Sequence, residues 1–394
     1  MVEKIQQTLR DSAAMRWMVL LLLAFAMFCS YIFMDILSPI KDLMQSTRGW
    51  DSTAFGTMQG SETFLNVFIF FLIFAGIILD KMGVRFTAIL SGVVMLVGAT
   101  INWYAVTDSF QGSGLEAWFN NNLNYIPGFD ELGISPFYKG MPASAKFAAV
   151  GFMIFGCGVE MAGITVSRGI VKWFKGREMA LAMGSEMALA RLGVASCMIF
   201  SPVFAKLGGN IDVSRSVAFG VILLLVALIM FIVYFFMDKR LDAQTGEAEE
   251  KDDPFKISDL GKILSSMGFW LVALLCVLYY SAIFPFQKYA VNMLQCNLTF
   301  NPVDPNSFWA TNTVTVIQYC IMLVVAAAAF ASNFSKTKGM RYGLLALAVV
   351  SLIVFCYMGY MRQSAETIFA VFPLLAVGIT PILGNYVDHK GKAA

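Results

Sequence analysis

Two residues of opposite charge, Glu160 and Arg191, lie near the middle of long apolar runs of the sequence. Ionisable groups at the centre of a bilayer cost roughly 2.5–3.5 kcal/mol each on insertion scales, so those that occur usually face a cavity or a partner. At similar depth, a carboxylate and a planar guanidinium can bind the amine and the carboxylate of one zwitterion. The alternative is an interhelical ion pair in which the two charges simply neutralise each other.

Four further polar residues lie in other apolar runs. Tyr31 and Asp35 are one helical turn apart, on the same face, near the end of the first run. Asp35 is suited to binding solute or carrying a proton, and equally to capping the helix or facing water. Tyr280 and Lys288 flank Pro285 in the seventh run, where proline removes a backbone hydrogen bond and permits bending. A packing role for Tyr280 and a snorkelling position for Lys288 stay open.

The elements that position these residues must be membrane-spanning helices. Of 394 residues, 58% are hydrophobic and 14% are charged, against about 25% charged in soluble domains. Ten apolar runs are each long enough for a hydrocarbon core of about 30 Å, and they lack the alternating polarity of barrel strands. The sequence therefore predicts an all-α membrane protein. The runs are 17–38, 60–79, 84–106, 147–171, 179–205, 214–237, 264–290, 310–333, 342–361 and 367–385.

The arrangement of charge predicts orientation and excludes several functions. Lys and Arg are concentrated in alternate loops, beginning with the N-terminus, so the positive-inside rule predicts a cytoplasmic N-terminus. The net charge of +2 does not indicate a nucleic-acid partner. Seven cysteines and the single His389 form no metal-ligand or disulfide spacing, so neither a metal nor a cofactor is expected. No nucleophile with a base and no phosphate loop can be assembled, which argues against an enzyme.

Two polar stretches divide the chain. Residues 238–262 carry both signs of charge and predict a cytoplasmic linker between a six-helix bundle, 1–237, and a partial second bundle, 263–394. The extracytoplasmic loop 107–145 is rich in aromatic residues and proline, which favours an ordered segment over a floppy connection.

A short motif recurs after the second and the tenth runs, as GIILDKMGVRF (76–86) and GNYVDHKGK (384–392). Each places an aspartate, a base and a glycine at a turn, which indicates two related halves. The motif resembles the signature of the major facilitator superfamily, G-x-x-x-D-(R/K)-x-G-x-(R/K), in the loop between helices 2 and 3. The matching residues are Gly76, Asp80, Lys81, Gly83 and Arg85, and, in the weaker copy, Gly384, Asp388, Lys390, Gly391 and Lys392.

This resemblance implies a carrier whose two bundles rock about a midplane site, without cofactor or covalent chemistry. It implies that these turns are conformational latches, formed by Gly76, Asp80, Lys81, Gly83, Arg85 and Asp388. The alternative is turn chemistry combined with the positive-inside rule. In the superfamily the second copy follows helix 8, and four more helices come after it. The resemblance therefore implies an inserted hairpin at about 310–361, and a chain that lacks the last four family helices.

Within the superfamily, residues 156–195 and 279–290 resemble the branch named "major facilitator superfamily domain containing protein 1", lysosomal-type dipeptide carriers and their bacterial relatives. That branch implies Glu160 as the receptor of the amine, Arg191 as that of the carboxylate, and a Tyr31–Asp35 pair in helix 1. The N-terminal residues lack the acidic dileucine signal of animal members, which favours a bacterial cytoplasmic (inner) membrane.

The expected function is secondary transport of dipeptides or related zwitterions, with proton coupling and protein partners undetermined. One alternative is a proton-coupled organic anion porter, in which Arg191 binds the anion while Glu160 or Asp35 titrates. Another is a non-transporting accessory or sensor protein whose loop 107–145 binds a partner.

Overall fold

The computed structural model describes residues 8–245, 257–301 and 303–391. Residues 246–256 of the predicted linker and Lys392 of the second motif lie outside the described residues. The described secondary structure is helical, which confirms the predicted all-α class. The α-helices are α1 Ala13–Asp35, α2 Lys41–Arg48, α3 Ser52–Gly60, α4 Phe64–Phe68, α5 Phe71–Ala105, α6 Gly114–Asn122, α7 Ala143–Phe174, α8 Met179–Ala205, α9 Val213–Thr245, α10 Ile257–Leu264, α11 Met267–Asn297, α12 Asn312–Ala331, α13 Lys338–Met361 and α14 Ala365–Gly391.

Nine helical segments among the described residues are long and apolar enough to cross a membrane, against ten predicted runs. The difference arises in α5, which contains nearly all of the third predicted run and residues 71–79 of the second. It is interrupted at Gly83, whose φ of 79° and ψ of 168° are not helical and are readily adopted by glycine. Without the break, 35 residues would form a rod of about 52 Å, much longer than a hydrocarbon core of about 30 Å. The predicted start of the second run at residue 60 is wrong, because α3, α4 and a left-handed Phe70 precede α5.

The second half of α5 packs closely against α7 through small residues. A side-chain carbon placed on Gly151 would lie 2.6 Å from the Gly98 carbonyl oxygen, and one placed on Gly98 would collide with Phe155 backbone atoms. Such contacts let helix backbones approach within the membrane, where apolar burial alone does not drive association. The segment before α5 also rests on α7, since Ser61 donates a hydrogen bond to the Ala149 carbonyl oxygen at 3.1 Å.

A second close contact joins α8 to α14. A side-chain carbon on Gly184 would lie 2.7 Å from the Thr380 carbonyl oxygen. A side-chain carbon on Gly384 would collide with the Ala180 carbonyl oxygen. The Thr380 hydroxyl donates to the Gly184 carbonyl oxygen at 3.1 Å. Residues of α8 also belong to a buried apolar cluster formed with α11, α12, α13 and α14, distinct from the larger cluster of the first six runs. Helix α14 is therefore anchored on α8, together with the apolar cluster to which it belongs.

The loop 107–145 contains α6 and packs its aromatic side chains. Phe110 and Phe119 are buried against Phe147 of α7, at ring-centroid distances of 5.4 and 5.0 Å. Arg48 pairs with Asp108 at 2.7 Å and so ties the loop to α2.

Candidate functional site

Three buried charged side chains meet where α11 approaches the end of α1. The Lys288 Nζ atom lies 2.9 Å from Asp35 Oδ1 and 3.9 Å from Glu62 Oε2, and it donates a hydrogen bond to the Met34 carbonyl oxygen at 2.7 Å. Their exposed fractions are 9%, 3% and 8% for Lys288, Asp35 and Glu62. The snorkelling position considered for Lys288 and the water-facing position considered for Asp35 are therefore wrong. We call these three residues the Lys288 cluster; when all are ionised it has one more negative than positive charge.

A second group surrounds Tyr31. The Arg191 guanidinium lies 5.7 Å from the centre of the Tyr31 ring, a cation–π contact. Glu160, Glu186 and Tyr280 are within electrostatic range of the same tyrosine. We call these five residues the Arg191 cluster. They come from α1, α7, α8 and α11, of which only α7 and α8 are neighbours in sequence.

Glu160 connects the two clusters, because it is within electrostatic range of both Tyr31 and Glu62. All six sequence-predicted binding residues therefore belong to one polar region between α1, α7, α8 and α11. Within the described residues, Glu160 and Arg191 form no ion pair with each other. The two charges therefore lie near the same tyrosine without neutralising each other.

Sequence reasoning missed two members of this region, Glu62 and Glu186. Glu62 lies at the start of the second predicted run and Glu186 lies within the fifth, five residues before Arg191. Both side chains are buried, with exposed fractions of 8% and 9%. Listing every acidic residue inside or beside an apolar run would have found both, since each carries the same desolvation cost as Glu160.

The first motif lies at the end of the bundle that carries Gly83, hereafter the Gly83 end. Asp80 accepts a hydrogen bond from Arg168 Nη1 of α7 at 2.5 Å, and Arg85 pairs with Asp242 of α9 at 3.0 Å. Gly83 provides the turn, and Lys81 is exposed. A side-chain carbon on Gly76 would meet nothing within 4 Å. These contacts of Asp80 and Arg85 join helices of the first six runs.

Asp388 of the second motif contacts α8 instead. Its carboxylate accepts hydrogen bonds from the backbone N–H groups of Ala180 at 3.0 Å and Leu181 at 2.7 Å. These N–H groups lie in the first turn of α8, where backbone donors lack helical partners and the dipole favours a negative charge. Asp388 therefore ties the end of α14 to the start of α8. The latch role of the two motifs stays a prediction.

Among the described residues there is no cluster of His, Cys, Asp and Glu side chains arranged to hold a metal ion. The polar region between the helices is instead built from carboxylates, two cations and aromatic rings. Such groups suit recognition of a charged organic solute better than group transfer or redox chemistry.

The sequence profile of the Major Facilitator Superfamily matches residues 23–390. The match spans most of the chain, so this protein belongs to the Major Facilitator Superfamily. It is a multi-pass membrane protein, and its superfamily is one of transporters and not of enzymes.

Within the superfamily the chain is similar to lysosomal dipeptide transporters named MFSD1. It is 25% identical to the protein from Danio rerio and 24% identical to that from Homo sapiens, over 282 residues in each case. Each alignment covers 69% of this chain and 52% of the relative, so the chain spans about half the length of these curated relatives. The Gallus gallus protein is 32% identical over 145 residues, which cover 35% of this chain and 32% of that protein.

Two solved structures are similar over most of their length. One is a partially occluded, inward-open conformation of the xylose transporter XylE from E. coli, with 11% identity and a TM-score of 0.48 over 95% of this chain and 99% of that chain. The other is tetrameric PepTSo2, with 12% identity and a TM-score of 0.42 over 94% of this chain and 95% of that chain.

Proposed function

We propose that this protein carries dipeptides or related small zwitterions across a membrane by alternating access, with Glu160 binding the α-amino group and Arg191 the carboxylate. The supporting observation is that these opposite charges lie in one polar region without forming an ion pair. A zwitterion offers a counter-charge to each of them, an ammonium group to Glu160 and a carboxylate to Arg191. A guanidinium also binds carboxylates in a bidentate way, which favours a free C-terminus over a neutral group.

Tyr31 holds the Arg191 guanidinium over its ring and Tyr280 lies close by, so both contribute to the same pocket under this proposal. Glu186 is a further carboxylate beside Arg191 and offsets part of its charge before solute binds. The relatives named as dipeptide transporters agree with this substrate class, although the alignments cover about half of each relative.

The contacts at the two ends suggest how alternating access is controlled. The Lys288 cluster joins α1 to α11, and Tyr289 and Asn292 add hydrogen bonds to Ser52 and Asp42, so these contacts keep that end closed. At the Gly83 end, Asp388 on the start of α8 is the corresponding latch. We further propose that the Gly83 end faces the cytoplasm of a bacterial inner membrane, with the N-terminus on the same side, and that residues 1–237 and 263–394 form the two moving units.

The test is uptake of a labelled dipeptide by liposomes that contain the purified full chain. We expect saturable uptake, reduced about tenfold or more by Glu160→Gln and by Arg191→Lys, because loss of a charge-assisted hydrogen bond costs about 1.5–3 kcal/mol. Arg341→Gln, an exposed cation at the start of α13, is the matched control and should leave uptake unchanged. Reconstitution is checked by the amount of folded protein per liposome.

The outcomes separate the alternatives. Uptake that is indifferent to an inward proton gradient indicates uniport, and gradient-driven uptake indicates symport. Transport of organic anions without dipeptides would identify the anion porter, and a stoichiometric protein partner without solute flux would identify an accessory protein. Normal dipeptide uptake by both variants would remove Glu160 and Arg191 from the binding site.

A further inference from the structure

Separate from this polar region, a cavity of about 590 Å³ lies at the end of the bundle opposite Gly83. It is bounded by the ends of α8 and α11, the residues that follow α13, and the starts of α12 and α14, and no member of the Arg191 or Lys288 cluster lines it. Its volume is within the range of small-molecule sites, about 300–1,000 Å³. Charged and polar residues line it, among them Lys206, Thr315, Arg362 and Glu366.

Arg362 presents unused hydrogen-bond donors to this cavity. It follows the last residue of α13 and is half-buried, and burial lowers the pKa of its guanidinium while the nearby Glu366 raises it. Its Nη1 atom donates to Gln318 Oε1 at 3.0 Å. Within the described residues it forms no ion pair, and since a guanidinium has five N–H donors, most of them lack a protein partner.

The neighbouring acid already accepts two hydrogen bonds from other residues. Glu366 accepts hydrogen bonds from Gln295 Nε2 at 3.4 Å and from the Ser364 hydroxyl at 2.8 Å. By contrast, the Thr315 hydroxyl is buried, with 5% of the residue exposed, and has no hydrogen-bond partner among the described residues. Leaving such a group unsatisfied costs about 1–3 kcal/mol. The cavity therefore has spare capacity for an acceptor, and specifically for an anion beside Arg362.

We propose that this cavity is a second solute site, in which Arg362 binds the carboxylate of a small organic solute and the Thr315 hydroxyl donates a further hydrogen bond to it. Gln318 positions the guanidinium by holding Nη1, and the remaining N–H groups bind the carboxylate in a bidentate way. Because none of its lining residues belongs to the Glu160–Arg191 region, solute can occupy this site when that region is empty or altered. The inference does not rest on the proposed transport substrate.

Trp309 provides an internal probe, because it lines the same cavity. We would titrate the full chain, purified in neutral detergent and carrying Glu160→Gln and Arg191→Lys, with alanyl-alanine and with its C-terminal amide. We expect a saturable change in tryptophan fluorescence with the free acid, and a response at least tenfold weaker with the amide. Adding Trp309→Phe should abolish the change. Because the proposed transport site is disabled in this background, a missing fluorescence change would contradict the second site without bearing on the proposed transport function.

Adding Arg362→Gln should weaken binding of the free acid at least tenfold, whereas Arg341→Gln, at the other end of the same helix, should bind like the parent. Thr315→Val preserves the shape of the side chain but removes its hydroxyl, and it should weaken binding severalfold. It serves as the test variant if Arg362→Gln does not fold. Equal affinity of the parent and these cavity variants, or of the acid and the amide, would overturn the proposal. A lipid is the other candidate ligand. If phosphatidylglycerol alone changed the fluorescence in an Arg362-dependent way and prevented dipeptide binding, the cavity would bind a lipid phosphate and the proposal would be overturned.

Discussion

Buried charges in this protein are organised by residues from distant parts of the chain. Lys288 is shared by Asp35 and Glu62, so one cation compensates two carboxylates in a nearly solvent-free position. Removing one partner of such a group leaves the remaining charge buried and unpaired, which is far more costly than removing a surplus charge.

At the residue scale, we therefore expect Lys288→Met to lower the free energy of unfolding by about 3–5 kcal/mol, because two carboxylates lose their cation. Asp35→Asn should have a much smaller effect, since Lys288 and Glu62 then form a balanced pair. The measurement is unfolding in detergent, followed by circular dichroism at 222 nm. Equal destabilisation by both variants would show that the lysine is not the shared partner.

At the scale of elements, the two copies of the motif occupy different surroundings despite their similar sequences. Gly76 of the first copy has open space around it, whereas Gly384 of the second packs directly against the α8 backbone beside Ala180. Asp388 lies one turn beyond Gly384 and binds the N–H groups of the same helix end. The second copy therefore depends on close packing in a way that the first does not.

We expect Gly384→Ala to destabilise the α8–α14 contact by about 1–3 kcal/mol, because a methyl group meets backbone atoms that cannot move independently. Gly76→Ala is the matched control and should be neutral or stabilising by up to about 1 kcal/mol, since alanine has the higher helix propensity. Detergent-unfolding midpoints of the two variants make the comparison. A destabilised Gly76→Ala with an unaffected Gly384→Ala would contradict the packing described for α14.

At the scale of the whole molecule, the break at Gly83 determines how often the chain crosses the bilayer. If α5 turns there, the loop before residue 84 and the segment after Ala105 lie on opposite sides of the membrane. Lys81 and Tyr125 are both exposed and report on the two sides.

We expect Lys81→Cys to react with an impermeant maleimide from the cytoplasmic side, and Tyr125→Cys from the opposite side, in a background without the seven native cysteines. The first expectation rests on the positive-inside rule and the second on the crossing by residues 84–105. Labelling of sealed vesicles of known orientation checks both. Reaction of both positions from one side would refute a turn at Gly83.

Local sequence patterns were sufficient to predict the class of the protein, the approximate positions of its helices and its superfamily motif. These properties depend on local hydropathy and on short spacings, which act independently of how the helices pack. The sequence also identified Glu160, Arg191, Asp35 and Lys288, because ionised groups are rare in apolar runs and each one stands out.

Which of these charges are partners depends on how the helices pack in three dimensions. Lys288 bonds to the carbonyl oxygen of Met34, 254 residues away, and Glu62 joins the same cluster although it lies at the edge of its predicted run. The structure also divided α5 at Gly83 and left Arg362 at a cavity with no carboxylate in ion-pair contact among the described residues. Such outcomes depend on helix packing between distant segments, and the hydropathy of a single run contains no information about its neighbours.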